Sequence, residues 1–399
     1  MSTELRRIGE KARSDPQLVF TSLYHHVYDV DNLRACFEAL PGDRAVGIDG
    51  VSKEQYASQL ERNLGALSER LRTMGYRPQP KRRSYIPKPG SEQGRPLGIS
   101  CFEDKLVELA VKRVLEPIYE VQFEDSSYGY RPERSQHQCL DALGRMIQQQ
   151  RVNHVVEANI RNFFGTVAHE WMLKFLRHRI GDPRVIRLIA RMLKAGILED
   201  GLVQASEEGT PQGSILSPLL SNIYLHYVLD LWFSRVMRSG CRGDAYYFRF
   251  ADDFVACFQH RQDAEDFMDA LSGRLEKFRL ALVPEKTRCI ACGRFARENA
   301  RRHGKKPFLC APNPPLILRT NTNTVYYPEC PKGERRRHAV LRKGRAAPCR
   351  PGRPQERPAA DRRARRGRQR RQLEGIRRQP RSDRGPRTLG RRGGHAQHR

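Results

Sequence analysis

Apolar residues spaced three and four apart indicate the helices that this sequence predicts. The most regular run lies in residues 53–74, where the apolar positions are Leu60, Leu64, Leu67, Leu71 and Met74. Ser52 stands directly before this segment, in the position of a residue that caps a helix N-terminus. Helical segments are also predicted over 18–40, over about 102–120 and 134–150, from about 169 to 197, and over 261–279.

Shorter runs of β-branched and aromatic residues predict the strands. Residues 76–100 are rich in Lys and Arg and are interrupted by Pro and Gly, a pattern typical of a basic β-hairpin. A loop at the start of GTPQGSILSPLLSN leads into a long helix. Further strands are predicted in HVVEANIRNFF (154–164), around 197–207, in LALVPEKTRCIACGRF (280–295), and as two β-runs in DAYYFRFADDFVACF (244–258) that meet at Ala251-Asp252-Asp253.

Charge is distributed unevenly along the 399 residues. Residues 301–399 contain 30 Lys and Arg against six Asp and Glu, which leaves 43 against 39 for residues 1–300. From about residue 307 the chain is mostly polar, basic, Gly and Pro, a composition that buries too little apolar surface to offset the entropy of ordering. We therefore predict a helical extension over 1–80, a globular region over 81–300, and an Arg-rich disordered tail over 301–399 that attracts phosphate regardless of sequence.

The ten cysteines and the lack of long apolar runs bear on the cellular compartment. Cys289 and Cys292 form a C-x-x-C pair, but their apolar neighbours favour a strand or its edge, with free thiols, over a zinc site. The N-terminal residues have no apolar signal-peptide core, and no apolar run approaches the ~20 residues that span a bilayer. We expect a reduced, cytoplasmic protein with no membrane partner.

Five short motifs follow one another along the chain. In order, the motifs are IPKPG…GRPLGIS (86–100), ANIRNFF (158–164), GTPQGSILSPLLSN (209–222), FADDF (250–254) and PEKTR (284–288). Taken alone, FADDF is also explained by an ordinary Asp-rich β-turn. This ordered set resembles the group II intron reverse transcriptases, which are maturase-type proteins encoded within bacterial and organellar introns. The resemblance covers about residues 20–300.

The resemblance implies an α+β fold, the palm and fingers of a right-hand polymerase, with an antiparallel palm sheet backed by helices within residues 81–300. It also implies RNA-directed DNA synthesis in intron mobility and assistance to intron splicing. The implied partners are an RNA template, intron RNA, a DNA primer or target, and deoxynucleoside triphosphates. The implied cofactor is Mg²⁺, in a two-metal site.

The implied metal site contains a departure from the family pattern. Asp252 matches a metal ligand at the hairpin, Asp253 supports it, and the second ligand falls at position 159, with Ile160 beside it in the same site. The family pattern there is A-D-I-x-x-F-F-D, whereas this chain has Asn159 and, at the final position, Gly165. An amide retains an oxygen acceptor but lacks the charge that holds a hard cation beside phosphates. We therefore expect Asn159 to reduce catalysis strongly.

Aromatic and amide side chains are implied to shape the nucleotide pocket. Phe164 matches the steric gate that selects deoxynucleotides, although a core position would also explain a Phe. Phe163 is the better candidate for the core, because neighbours on a strand point to opposite faces. Gln212 matches the residue that lines the nucleotide pocket, and the glycines around it allow the backbone to approach the templating pair closely.

Basic residues complete the implied site. Lys88 and Arg95 fall in the fingers motif that grips the triphosphate, where an ammonium group and a guanidinium fork suit phosphate oxygens. A solvated basic hairpin is the alternative interpretation of these two residues. Lys286 matches a lysine near the palm active site, and a surface turn would explain it equally well in isolation.

The C-terminal part departs from the family pattern after GRFARENARRHGKKP (293–307). The family continues with a primer-grip strand and a helical thumb, which the Arg/Gly/Pro/Ala composition here does not match. We predict that the thumb is missing and suggest a frameshift near Pro307 as the cause. Two other interpretations stay open: a non-catalytic protein that binds intron RNA through its basic surfaces, and a decayed reading frame with no function.

Overall fold

Two four-stranded sheets form the framework of the residues that the computed structural model describes, which are 3–87, 94–205 and 207–292. The first, called the β1 sheet, has the strand order β2-β1-β4-β5, and the second, called the β3 sheet, has the order β6-β7-β3-β8. The strands are β1 (Lys81–Ile86), β2 (Arg95–Ile99), β3 (His154–Asn159), β4 (Ile197–Glu199), β5 (Leu202–Gln204), β6 (Ala245–Phe250), β7 (Asp253–Phe258) and β8 (Arg288–Ala291).

Helices cover most of the remaining described residues. In chain order they are α1 (Thr3–Ser14), α2 (Tyr24–Tyr28), α3 (Val30–Ala39), α4 (Lys53–Ala57), α5 (Leu60–Arg72), α6 (Phe102–Tyr119), α7 (Gln136–Gln149), α8 (Phe163–Thr166), α9 (His169–Arg177), α10 (Pro183–Leu193), α11 (Ser217–Leu225), α12 (Arg238–Gly240) and α13 (Arg261–Lys277). Two π-helical turns, His226–Asp230 and Phe233–Met237, lie between α11 and α12, and a 3₁₀ turn covers Pro284–Lys286. Among these described helices, none is both long enough and apolar enough to span a bilayer.

The β3 sheet is antiparallel throughout and is covered on both faces. Val156 and Phe254 belong to the main hydrophobic core, which includes residues from Leu5 to Leu280. Their neighbours on the other face, such as Val155, belong to a smaller cluster that also contains apolar residues of α7. Since a one-residue slip would exchange these two faces, the alternation fixes the strand register. This arrangement agrees with the predicted mixed fold of helices and an antiparallel sheet.

Local capping explains where two predicted helices begin. The Ser52 hydroxyl accepts a hydrogen bond from the Gln55 amide at 3.2 Å, and the Gln55 side chain accepts one from the Ser52 amide at 2.8 Å. This capping box confirms the predicted role of Ser52, although the helix predicted over 53–74 is divided into α4 and α5. Ser135 forms an equivalent capping box at the start of α7. The helix predicted over 102–120 is confirmed as α6.

Two predicted elements differ from the structure. The strand predicted over 154–164 ends at Asn159, because Asn162 adopts a left-handed conformation (φ +42°) and the next residues form the helical turn α8. In the described part of the region predicted over 280–295, which ends at residue 292, the named elements are the 3₁₀ turn and the short strand β8. Helix α1 lies within the helical extension predicted over 1–80. The predicted disordered tail, the missing thumb and the frameshift near Pro307 all concern residues beyond 292 and lie outside the described residues.

Candidate functional site

The β6–β7 hairpin presents the two predicted carboxylates at one end of the β3 sheet. Phe250 pairs with Asp253, so the turn between the strands consists of Ala251 and Asp252. Ala251 has φ +58°, a conformation that is unfavourable for a residue with a Cβ atom. The turn therefore has to be supported by its surroundings.

Asn159 lies opposite Asp253, where strands β3 and β7 are paired. The Asn159 amide Nδ2 donates a hydrogen bond to Asp253 Oδ1. Burial, together with the neighbouring Asp252 carboxylate, raises the pKa of Asp253 to about 7. Burial also raises the pKa of Asp252, against the opposing effect of Arg95 and other cations. The structure thus brings together the three residues predicted as catalytic, with an amide N–H directed at a carboxylate.

Two cations predicted as nucleotide ligands lie near these carboxylates. Arg95, at the start of β2, and Lys286, in the 3₁₀ turn before β8, both act to lower the pKa of Asp252. Lys286 has the same effect on Asp253. The predicted ligand Lys88 lies outside the described residues. The described part of the site is therefore a pair of acids under the electrostatic influence of two basic side chains from different elements.

The two phenylalanines of ANIRNFF differ in burial as predicted, but the stated reason was wrong. Phe163 is 2% exposed and packs in the main core, whereas Phe164 is half-buried. Both belong to the helical turn α8, so strand alternation does not separate them. At Gly165, an added Cβ atom would lie only 2.3 Å from the Asn162 amide nitrogen. The Asn162 side chain thus occupies space that a side chain at position 165 would need.

Gln212 lies in a loop that is held against β2. Its carbonyl oxygen accepts a hydrogen bond from the Gly98 amide at 2.7 Å. Gly213 has φ +104°, and a Cβ atom there would lie 3.0 Å from the Gly98 oxygen, so a glycine is required. The Gln212 side-chain oxygen Oε1 is buried and has no hydrogen-bond partner among the described residues. A buried acceptor of this kind is satisfied by a bound molecule or by water.

Tyr130 is a site residue that the sequence reasoning missed. Its ring is 43% exposed, lies edge-on to Phe164 with centroids 6.5 Å apart, and has φ +58°. The Asp252 carboxylate acts to raise the Tyr130 pKa, after the larger effect of burial. The one signal in the sequence was Gly129 directly before Tyr130, because a glycine allows a close approach of two backbones, and in the structure Gly129 packs against Ala251.

A buried ion pair behind the Gln212 loop was also missed. Lys81 Nζ contacts Glu108 Oε1 at 2.5 Å, and both side chains are less than a tenth exposed. Ser100 donates a hydrogen bond to the same Glu108 oxygen at 2.9 Å, and the Ile215 amide donates to Glu108 Oε2 at 2.9 Å. Glu108 therefore joins the β1 sheet to the loop that contains Gln212.

Comparison with known proteins identifies the family. The sequence profile described as "Reverse transcriptase (RNA-dependent DNA polymerase)" matches residues 86–317, more than half of the chain. The "Group II intron-encoded protein LtrA" of Lactococcus lactis subsp. cremoris is 37% identical over 231 residues, or 57% of this chain and 38% of LtrA. "Protein YkfC" of Escherichia coli (strain K12) is 31% identical over 316 residues, or 71% of this chain and 83% of YkfC. The chain belongs to the group II intron reverse transcriptase and maturase family.

Other similar proteins also come from introns. An "Uncharacterized 91 kDa protein in cob intron" of Schizosaccharomyces pombe is 40% identical over 147 residues, or 37% of this chain and 18% of that protein. This reverse transcriptase family member spans about two fifths of the length of LtrA. The profile match continues past Pro307 to residue 317, and the frameshift suggested there stays a prediction.

The donor set of this reverse transcriptase family member does not fit the metal pair that the family resemblance implies. The described residues contain no group of three His, Cys, Asp or Glu side chains that could hold a cation. At position 159 an amide N–H, which repels a cation, is directed at Asp253. Ile160 has its side chain buried in the main core, so its contribution to the site is limited to the main chain.

Proposed function

We propose that this chain is an intron-encoded reverse transcriptase and maturase that binds intron RNA and template, and whose DNA synthesis is suppressed by Asn159. In this proposal the β3 sheet corresponds to the palm and the β1 sheet to the fingers. The single observation that supports the suppression is the hydrogen bond from the Asn159 amide to Asp253. At position 159 the amide group supplies a hydrogen-bond donor where the family pattern has a carboxylate. The site therefore lacks the second negative charge that the implied metal pair needs.

The rest of the pocket supports nucleotide binding. Arg95 and Lys286 approach the carboxylates from two elements, and cations of this kind bind and orient phosphate oxygens. The buried Gln212 side-chain oxygen, which has no hydrogen-bond partner in the described part of the chain, is an acceptor for a donor on the bound molecule. The Phe164 ring lies beside that of Tyr130, where it would restrict the space for a ribose 2′-hydroxyl. These residues bind and position the substrate, while the acid pair lacks the charge for the transfer itself.

Primer extension tests this proposal directly. The assay uses an RNA template, a DNA primer, deoxynucleoside triphosphates and divalent cation, with the unaltered chain and its Asn159→Asp variant. We expect extension only by the variant, and no extension by the Asn159→Asp, Asp252→Asn double variant, which controls for contaminating polymerases. Extension by the unaltered chain at the rate of the variant would refute the suppression.

The RNA-binding part of the proposal has its own measurement. Binding of an intron RNA is compared with binding of a shuffled RNA of the same length over a range of salt concentrations. Specific recognition retains the preference for the intron RNA as salt rises, whereas binding through charge alone falls steeply for both RNAs. Equal affinities at every salt concentration would contradict a maturase function and favour non-specific attraction.

A further inference from the structure

Arg249 is completely buried in strand β6, three residues before Asp252. A buried guanidinium is stable only when its N–H groups have partners and its charge is compensated. Asp230 supplies the charge, since Arg249 Nε contacts its Oδ1 at 2.8 Å and Nη2 contacts its Oδ2 at 2.6 Å. Arg249 Nη1 donates to Asn222 Oδ1 at 2.9 Å and to the Ala251 carbonyl at 2.8 Å.

The last of these bonds reaches the turn that presents the carboxylates. Ala251 carries the unfavourable positive φ, and its carbonyl is fixed by Arg249 rather than by the sheet. The left-handed conformation costs a non-glycine residue about 1–2 kcal/mol. A charge-assisted hydrogen bond is large enough to offset a cost of that size.

The helix that supplies Asp230 is itself irregular. Asp230 ends the π-helical turn His226–Asp230, and its side chain is fully buried. π-Helical turns are rare and are found often at functional sites. The turn changes the helical phase after α11, which carries Asn222, so that both Asn222 and Asp230 reach Arg249.

The segment that ends at Tyr130 is attached to the same residue. The Arg249 amide donates to the Ser126 carbonyl, and the Tyr128 amide donates to the Arg249 carbonyl, each at 2.9 Å. Asn222 Nδ2 donates to the Gly129 carbonyl at 2.7 Å. Gly129 packs so closely on the turn that a Cβ atom would lie 2.2 Å from the Ala251 nitrogen.

We propose that Asp230, acting through Arg249, is a positioning residue that holds the Ala251-Asp252 turn and Tyr130 in their site geometry without help from a bound cation. Asp230 touches no reacting group; it also lies 3.9 Å from His226 Nδ1, and its effect on the turn is exerted through Arg249. The proposal takes from the proposed function only that Asp252 and Tyr130 belong to the site. Its consequence is that the carboxylates stay in place although Asn159 has removed a neighbouring charge.

Amide hydrogen exchange in the unliganded full chain tests this role, and urea unfolding measures global stability alongside. The variants are Asp230→Asn, which keeps the shape, and Arg249→Lys, which keeps the charge but cannot reach all of the acceptors at once. Asp263→Asn is the matched control, because buried Asp263 holds the Arg242 and Gly243 amides before the other end of β6.

We expect Asp230→Asn and Arg249→Lys each to accelerate amide exchange at residues 251–254 and 128–130 by about tenfold or more, relative to exchange in the rest of β3 and β7. The control should lose global stability without this local acceleration. Unchanged relative exchange at the turn in Asp230→Asn and Arg249→Lys would overturn the proposal, as would equal acceleration in the control. Because no substrate is present, this result is independent of whether the chain synthesises DNA.

Discussion

Asn159→Asp is expected to destabilise the metal-free protein while preparing it to bind a cation. The substitution removes the N–H donor that Asp253 accepts and places a third carboxylate beside Asp252 and Asp253. Loss of a hydrogen bond to a charged group costs about 1.5–3 kcal/mol. Two like charges ~4 Å apart repel by about 4 kcal/mol at an effective dielectric constant of ~20. Uptake of a proton limits this repulsion, so we expect a net loss of about 3 kcal/mol near pH 8.

The pH dependence follows from the same groups. The pKa of Asp253 is already raised to about 7 by burial and by Asp252. A carboxyl group with a raised pKa in the folded state stabilises the fold when it is protonated, and this stability is lost as pH rises through the folded pKa. The added carboxylate raises the pKa of the cluster further. The destabilisation of the variant should therefore shrink to below about 1 kcal/mol near pH 5, where one acid donates to another.

Thermal unfolding with and without Mg²⁺ measures both effects. For a body of this size a loss of about 3 kcal/mol lowers the Tm by roughly 6 °C. Millimolar Mg²⁺ in about 100-fold excess over its Kd would return about 2.7 kcal/mol to the variant, with little effect on the unaltered chain. Asn153→Asp is the control, because the Asn153 amide donates to the Gln259 carbonyl at 2.9 Å, away from the acids. An equal rise of Tm with Mg²⁺ in the unaltered chain would refute the reasoning, as would a more stable metal-free variant.

Three further predictions concern the support of the site. Burial lowers the pKa of His226 from 6.5 to about 4. The contribution of neutral His226 to stability is therefore present above pH 6.5 and is lost as the pH falls towards 4. Over this range the free energy of unfolding, measured in urea, should fall by about 3 kcal/mol more in the unaltered chain than in His226→Phe. Glu108→Gln should lower the free energy of unfolding by about 3–5 kcal/mol, because it leaves the Lys81 ammonium buried without a counter-charge. The double variant with Lys81→Met should recover part of that loss. A double variant that is no more stable than Glu108→Gln would contradict the charge argument. Gly129→Ala should destabilise the fold by about 3 kcal/mol or more, because the added Cβ atom would collide with the backbone of Ala251. Gly65→Ala, in α5 and facing open space, should instead stabilise the fold by about 0.5–1 kcal/mol. Urea unfolding followed by circular dichroism compares the two variants.

Much of the fold could be predicted because local rules decide it. Apolar spacing located the helix that became α6, and the position of Ser52 directly before the apolar pattern located the start of α4. The β6–β7 hairpin was predicted from two β-runs joined across Ala251-Asp252-Asp253. In each case the residues that determine the element lie within a few positions of one another.

The remaining features depend on contacts that are distant in sequence. Strand β3 ends at Asn159 because Asn162 adopts a left-handed conformation. The β-propensity of the residues that follow Asn159 does not distinguish this end from a longer strand. In the sequence, nothing distinguishes Arg249 from the many other basic residues, although it is completely buried and bonded to partners 19 and 27 positions away. Tyr130 reaches the site only because its segment is bonded to β6. Pairing of this kind cannot be read from spacing along one segment.

The double attachment of the Gln212 loop has a mechanical consequence. The loop is bonded to β2 at Gly98 and to α6 at Glu108, which is itself paired with Lys81 of β1, and the loop continues directly into α11. A rotation of the β1 sheet that keeps its bonds to the loop and to Glu108 must therefore take the loop with it, and the bending falls at Leu216, the one residue between Ile215 and the start of α11. Such a rotation would change the distance between the Ala251-Asp252 turn and the loop that contains Gln212, while the loop itself keeps its shape.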